Sequence, residues 1–223
     1  MEKTEKIIAL ICAYNEEKFI KKVVHETLRY IKDVIVVDDC SIDKTVKEAE
    51  AAGAICLEHD INRGKGGALR TGFEYCLING YDIVVTIDGD GQHDPSEIPC
   101  LLETLKNYDI VIGTRNKIGT GMPPVRIFTN TFCSLLVSLL SFKWIRDTQS
   151  GYRAMRVRLL KNMKFVSQRF NLESEILIRA GRRGYRIGEC SVKTIYGEEK
   201  SKMNPILEPL RFIGLILRGI FWW

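Results

Sequence analysis

The chain has 223 residues, of which 45% are hydrophobic and 27% charged, an ordinary balance for a soluble globular protein able to bury one substantial core. Its net charge of +5 is unevenly divided: residues 1–111 carry 13 Lys/Arg against 21 Asp/Glu, and residues 112–223 carry 20 against 7. One half suits a cation and the other an anionic surface or phosphate, and the basic half contains no nucleic-acid-binding motif.

Ile7–Ile11 reads as a buried strand, and Tyr14-Asn15-Glu16-Glu17 opens an amphipathic helix that runs through Tyr30. Val34–Val37 is a second strand ending in Asp38-Asp39-Cys40-Ser41, with Ser41 as the expected N-cap of a helix over Lys44–Ala52 and Gly53 as its stop. A short strand over Ala54–Leu57 precedes the loop Asn62–Gly67 and a helix to Asn79. Asp82–Ile87 is a fourth strand, Glu97–Lys106 a helix and Asp109–Gly113 a fifth strand. Apolar strands alternating with helices predict parallel βαβ units and a doubly wound α/β sheet, which binds ligands at the carboxyl ends of its strands.

The second half departs from this alternation. Gly119–Pro124 is a loop, Phe128–Trp144 a strongly apolar helix and Leu172–Gly181 another helix with Glu173 near its start. The tail from Pro205 to Trp223 is apolar but broken by Glu208, Arg211 and Arg218, so it falls short of the roughly 20 residues of a spanning helix. It reads as an amphipathic helix for a membrane interface, the alternative being a terminal helix packed on the core or on a partner subunit. The domain division is thus a catalytic-type domain over 1–203 and this helix over 204–223. Seven cysteines without a C-x-x-C pair predict neither a disulfide framework nor a zinc site, and so a reducing, cytosolic compartment. The charged N-terminus runs directly into a strand and does not read as a signal peptide.

The chemistry centres on Asp88-Gly89-Asp90-Gly91-Gln92 at the end of the fourth strand. Two carboxylates at a strand tip are costly to desolvate unless compensated, and a hard divalent cation that shares its shell with substrate phosphates compensates them. Asp-Gly dipeptides also form simple turns, the competing reading. Four polar clusters lie at strand ends: Tyr14-Asn15-Glu16, Asp38-Asp39, Asp88/Asp90 and Gly113-Thr114-Arg115. Their convergence on one crevice is what a nucleotide-type site requires.

Six motifs in order carry a family resemblance over about residues 7–203: Ala13-Tyr14-Asn15-Glu16, Val36-Val37-Asp38-Asp39-Cys40-Ser41-Ile42-Asp43, Asn62-Arg63-Gly64-Lys65-Gly66, Asp88-Gly89-Asp90-Gly91-Gln92-His93, Gly113-Thr114-Arg115 and Asp147-Thr148-Gln149-Ser150-Gly151-Tyr152-Arg153. The sequence resembles the inverting family 2 glycosyltransferases of GT-A fold, and among them the polyprenyl-phosphate enzymes of the dolichyl-phosphate mannose synthase type. It departs from them at Cys12, where the family often has Pro, and at Cys40, where it often has Gly. The resemblance implies a mostly parallel, Rossmann-like sheet flanked by helices. It also implies transfer of a hexose from a nucleotide sugar, of the GDP-mannose or UDP-glucose type, to a polyprenyl (dolichyl) phosphate at the cytoplasmic membrane face.

On the donor side the resemblance assigns Ala13, Tyr14, Asn15, Glu16, Val37, Asp38, Asp39, Lys65, Asp88, Gly89 and Asp90. Mg²⁺ or Mn²⁺ would sit on Asp88, Asp90 and Gln92. The loop around Lys65 is neither a Walker A motif nor a dinucleotide fingerprint, and a solvated turn is its plain alternative. Arg115, Arg126, Asn130, Lys200 and Lys202 are the expected acceptor-phosphate partners, since guanidinium suits bidentate phosphate binding. Gln149, Ser150, Arg153 and Glu173 are assigned to the sugar side. With Asp88, Asp90 and Arg115, Asp147 completes the expected catalytic set, as base for a hydroxyl acceptor or as an orienting group for a phosphate. His93 is open to a donor-phosphate or a structural role. Two readings compete with a lipid-phosphate transferase: a family 2 enzyme using a saccharide or protein hydroxyl, and a non-catalytic nucleotide-binding module.

Overall fold

The computed structural model describes residues 4–115, 124–163, 165–167, 171–193 and 207–221. Strands β1 (Ile7–Ala13), β2 (Asp33–Asp38), β3 (Ile55–Glu58), β4 (Ile83–Asp88) and β5 (Ile110–Arg115) alternate with helices α1 (Ile20–Thr27), α2 (Thr45–Ala51), α3 (Lys65–Ile78) and α4 (Ile98–Leu105). There follow α5 (Pro124–Ser141), β6 (Arg153–Arg156), α6 (Asn171–Arg182), β7 (Ile187–Val192) and α7 (Leu207–Phe221). One seven-stranded sheet has the order β3-β2-β1-β4-β6-β5-β7. Its inner strands are apolar on both faces, as a sheet covered by helices on each side requires.

The expected α/β class and mostly parallel sheet are present, with two strands the sequence reading lacks, β6 and β7, of which β7 runs parallel beside β5. β6 lies antiparallel between β4 and β5, so Thr86 faces Arg153 on one side and Ile112 faces Arg153 on the other. An antiparallel strand starts where its parallel neighbours end. The 147–152 segment that feeds β6 therefore lies at the carboxyl edge, beside the tips of β4 and β5.

Other boundaries also move. Residues 14–19 form a loop, and α1 begins only at Ile20. Ser41 is not the cap of α2: its hydroxyl donates to Asp38, and it accepts the Asn15 N–H at 2.8 Å. The Asp43 carboxylate takes the Thr45 N–H instead, at 2.9 Å. These bonds, with Ile42 N–H to Asn15 Oδ1 and Glu16 N–H to Thr45 Oγ1, tie the loop after β1 to the loop after β2. The terminal helix α7 packs on α5 and α6 and buries Leu215, with Phe212 against the same cluster. Ile213, Leu217 and Ile220 remain on its outer side. No helix among the described residues is long and apolar enough to cross a membrane.

The cysteine reading needs correcting. Cys100 on α4 is disulfide-bonded to Cys190 on β7, 90 positions away in sequence. α4 packs directly on β7, and only that tertiary contact brings the two thiols together. The cysteine count therefore carries no argument about compartment.

Cys40 occupies φ +68°, in the left-handed region, where a Cβ costs about 1–2 kcal/mol. Cys40→Gly removes that strain while adding freedom to the unfolded chain worth about 0.5–1 kcal/mol. Cys40→Gly is expected to raise the thermal midpoint by about 2 °C, and Cys40→Ala to leave it unchanged or lower. A lower midpoint for the glycine variant in a melting series would contradict the strain assignment.

Candidate active site

The tip of β4 is the centre of the site. Asp88 Oδ1 pairs with the Lys65 ammonium at 2.6 Å, and Lys65 also meets Glu173 Oε1 at 3.1 Å. Three distant segments thus meet at one cation: the start of α3, the end of β4 and the first turn of α6. Gly151 closes over them, since a Cβ there would lie 2.5 Å from Lys65 Nζ, 2.8 Å from Asp88 Oδ2 and 2.9 Å from Glu173 Oε1. Burial, the largest single influence, would raise the Asp88 carboxyl, but the surrounding positive charges and hydrogen bonds, Lys65 foremost, together outweigh it and hold Asp88 below the usual carboxylate range. Burial likewise opposes the ammonium, and the two carboxylates more than reverse that, keeping Lys65 charged.

Asp90 accepts the Gln92 N–H at 3.0 Å, and Gly91, at φ +76°, turns the chain back in a conformation natural to glycine. His93 is structural: its Nδ1 accepts the Asp88 N–H at 3.2 Å and its ring stacks on Tyr152 at 4.9 Å. An accepting Nδ1 requires the neutral ring, and burial pushes His93 down to about 4. The Tyr152 hydroxyl donates to Asp94 O at 3.0 Å, so the ring stack clamps the turn from both ends.

Asp147 is fully buried, and both its oxygens face Arg115: Nε to Oδ2 at 2.7 Å and Nη2 to Oδ1 at 2.9 Å. The pair joins the end of β5 to the segment entering β6. Gln149 reaches Thr148 and Ser174, and Ser150 is buried. Arg153 differs from the sugar-side position expected of it. It is 1% exposed and donates to three main-chain carbonyls: Ser150 O at 2.8 Å, Glu173 O at 2.7 Å and Thr148 O at 2.9 Å. It lies beneath the crevice and holds the 148–150 loop to α6.

Donor-side residues separate into surface and support. Tyr14 is exposed, and Asn15 and Glu16 lie on the tied loops. Asp38 and Asp39 are buried rather than open to a ligand. Asp38 binds Ser41, while Asp39 accepts from Arg63 N–H at 2.8 Å and Gly64 N–H at 2.7 Å and contacts His59 at 2.8 Å. Asp39 therefore shapes the loop that delivers Lys65, which is no solvated turn. His59, which bridges Asp39 and Thr71, is a supporting residue no sequence motif marks. Ala13 and Val37 are buried strand residues, and the Ala13 carbonyl accepts the Asp39 N–H. Gly89 packs tightly on Cys12 and Ala13. Among the acceptor residues, Asn130 lies on α5 and is half-buried. Arg126 lies in the first turn of α5 with its side chain outside the described residues, as Lys200 and Lys202 are entirely.

Among the described residues no three acidic, His or Cys side chains form a ready-made metal cluster. Asp88, Asp90 and the Gln92 amide offer hard oxygen donors on one turn, and Asp88 already holds a cation in the Lys65 ammonium. That set fits Mg²⁺ or Mn²⁺, which commonly takes one or two carboxylates and completes its shell with water and substrate phosphate.

Replacing Arg153 by Met would leave three buried carbonyls without their donors. It is expected to lower unfolding free energy by about 3 kcal/mol or more. A denaturant midpoint close to that of the unsubstituted protein would contradict the clamp.

The family model of glycosyl transferase family 2 matches residues 8–164 of this chain. A relative from Methanococcus voltae, UDP-N-acetylglucosamine–dolichyl-phosphate N-acetylglucosaminyltransferase, is 36% identical and aligns over 87% of this chain and 88% of its own. The undecaprenyl-phosphate mannosyltransferase of Micrococcus luteus is 30% identical over 89% of this chain and 88% of its own. In fold, the chain is similar to glucosyl-3-phosphoglycerate synthase from Mycobacterium tuberculosis, solved in complex with Mn²⁺, UDP and phosphoglyceric acid. The TM-score is 0.77 and the identity 23%, covering 98% of this chain and 79% of that one. With the GT-A-like sheet, the carboxylate turn at the tip of β4 and the match over most of its length, the chain belongs to glycosyl transferase family 2.

Proposed function

We propose that the protein transfers a hexose, with inversion, from a nucleotide sugar to a polyprenyl phosphate at the cytoplasmic membrane face. The observation that carries the acceptor class is the Arg115–Asp147 pair. A hydroxyl acceptor needs a base with an open oxygen, and Asp147 is buried with both oxygens on Arg115. A phosphate monoester arrives already anionic and needs orientation and charge complement rather than deprotonation. The names of the Methanococcus and Micrococcus relatives support the same acceptor class.

In this reading Tyr14, Asn15 and Glu16, on loops set by Asp38 and Asp39, receive the nucleoside. Asp88, Asp90 and Gln92 would hold Mg²⁺ or Mn²⁺, which supplies Lewis-acid neutralisation of the diphosphate. Lys65 places a permanent positive charge beside the leaving diphosphate, where negative charge develops. Glu173 and Gln149 face the sugar, and Arg115 with Arg126, Asn130, Lys200 and Lys202 orients the acceptor. An acceptor phosphate oxygen bonds to the anomeric carbon as the bond from that carbon to the β-phosphate oxygen breaks, releasing the nucleoside diphosphate. The exposed apolar residues Phe128, Phe132, Leu135 and Leu139 of α5, with Ile213, Leu217 and Ile220 of α7, support a membrane surface as the working environment.

Three measurements test this reading. With radiolabelled GDP-mannose, UDP-glucose or UDP-N-acetylglucosamine and a polyprenyl phosphate, one donor is expected to carry label into the organic phase. Label that enters only soluble saccharide or protein acceptors would overturn it. Lys65→Met is expected to lower kcat about 10²–10³-fold. Asp90→Ala is expected to abolish the Mn²⁺-dependent thermal stabilisation by the preferred nucleoside diphosphate. Stabilisation without metal, or in the Asp90 variant, would remove the carboxylates from their assigned role.

A further inference from the structure

A cavity of mixed polar and apolar lining lies between α7, the start of α6 and residues 166–167. Its volume is about 350 Å³. Arg211 and Arg218, seven positions apart on α7, stand on one side with Leu215 between them; Ser167 and Asn171 stand on the other. The two polar residues are 6% and 8% exposed, and among the described residues neither the Ser167 hydroxyl nor the Asn171 amide makes a hydrogen bond. Both side chains line the cavity, so their hydroxyl and amide are open there to a polar ligand.

The charge of the surroundings identifies its sign. The N–H groups of the first turn of α6, a 12-residue helix beginning at Asn171, lack partners within the helix and favour an anion. Of the two buried carboxylates near the start of α6, Glu173 is paired with Lys65, and Glu175 is committed to Val166 N–H, Ser167 N–H and Arg179. Arg70 is bonded to the Ser167 carbonyl and adds to the positive field. Two guanidinium groups, a hydroxyl, an amide and a helix N-terminus form the donor set of a phosphate site.

We propose that this cavity binds a phosphate monoester or diester through Arg211, Arg218, Ser167 and Asn171, separately from the donor diphosphate and the transferred-to phosphate. α6 carries Asn171 at the cavity and Glu173 at the Lys65–Asp88 cluster, so occupancy steadies the helix that completes the active site. The ligand is a lipid headgroup or a soluble phosphate ester. The outer apolar side of α7 (Ile213, Leu217, Ile220) lies on the same helix as the two arginines, as a headgroup site at a membrane surface requires.

The test uses the whole chain, with inorganic phosphate in calorimetric titration and phosphatidylcholine vesicles containing or lacking phosphatidic acid in co-sedimentation. Arg218→Gln and Asn171→Asp are read beside Lys47→Gln, a surface control on α2. Arg218 is exposed, so its variant is expected to fold even if the Asn171 variant does not. Saturable phosphate binding that falls about tenfold in Arg218→Gln but not in Lys47→Gln supports the site. Phosphatidic-acid-dependent sedimentation, lost in the same variant and competed by phosphate, identifies a headgroup; phosphate binding without it identifies a soluble ester. No saturable phosphate binding, or binding unchanged in Arg218→Gln, overturns the proposal. Label transfer to polyprenyl phosphate is measured separately, so failure here and failure of the acceptor reading are distinct results.

Discussion

The Lys65 ammonium between Asp88 and Glu173 is the interaction on which the rest of the site depends. It joins the start of α3, the tip of β4 and the first turn of α6, segments that share no local sequence relation. A lone carboxylate at a half-buried strand end would be driven toward its neutral form. The ammonium favours its charged form, and in the proposed reading it is a charged Asp88 that receives the metal-bound diphosphate. The same geometry explains the small residue at position 151, where any side chain would enter the cluster. Asp39 acts one step further back: by fixing the Arg63 and Gly64 N–H groups it sets where Lys65 begins its helix.

The antiparallel β6 makes the second contribution. Inserted between β4 and β5, it brings residues 147–152 to the carboxyl edge, where the parallel strands end. Arg153, at its first position, ties that segment to α6 from below, while Asp147 ties it to β5 from above. The segment is therefore braced at both ends, by the Asp147–Arg115 ion pair and by the hydrogen bonds from Arg153 to main-chain carbonyls. In the proposed reading this bracing also takes Asp147 out of use as a base, in keeping with an acceptor that supplies its own negative charge.

Much of this was legible in the sequence, for physical reasons. Strands β1, β2, β4 and β5 are apolar runs ending in polar clusters, so they and their ligand-binding edge could be read directly, whereas β7, with Gly188, Glu189 and Ser191, carries no such run. β6, with only four residues beginning and ending in arginine, gives no apolar signal, because burial of Arg153 is offset by carbonyls visible only in three dimensions. The Cys100–Cys190 bond and the His59–Asp39 contact depend on tertiary packing alone. Asp38 and Asp39 were recognisable as important, but a motif does not reveal whether a carboxylate faces a ligand or its own loop. For α7, periodicity showed an amphipathic helix; that one face lies on α5 and α6 and the other outward is a matter of packing.

The central claim is that the nucleophile brings its charge and no side chain acts as base. Its most direct test is the pH dependence of kcat/KM for the acceptor, measured with a polyprenyl phosphate and with the corresponding phosphonate, whose second ionisation lies higher. A rising limb is predicted near the phosphate's second pKa of about 6, moving upward with the phosphonate. A limb that stays at the same pH for both acceptors would belong to a group on the protein and would contradict the account.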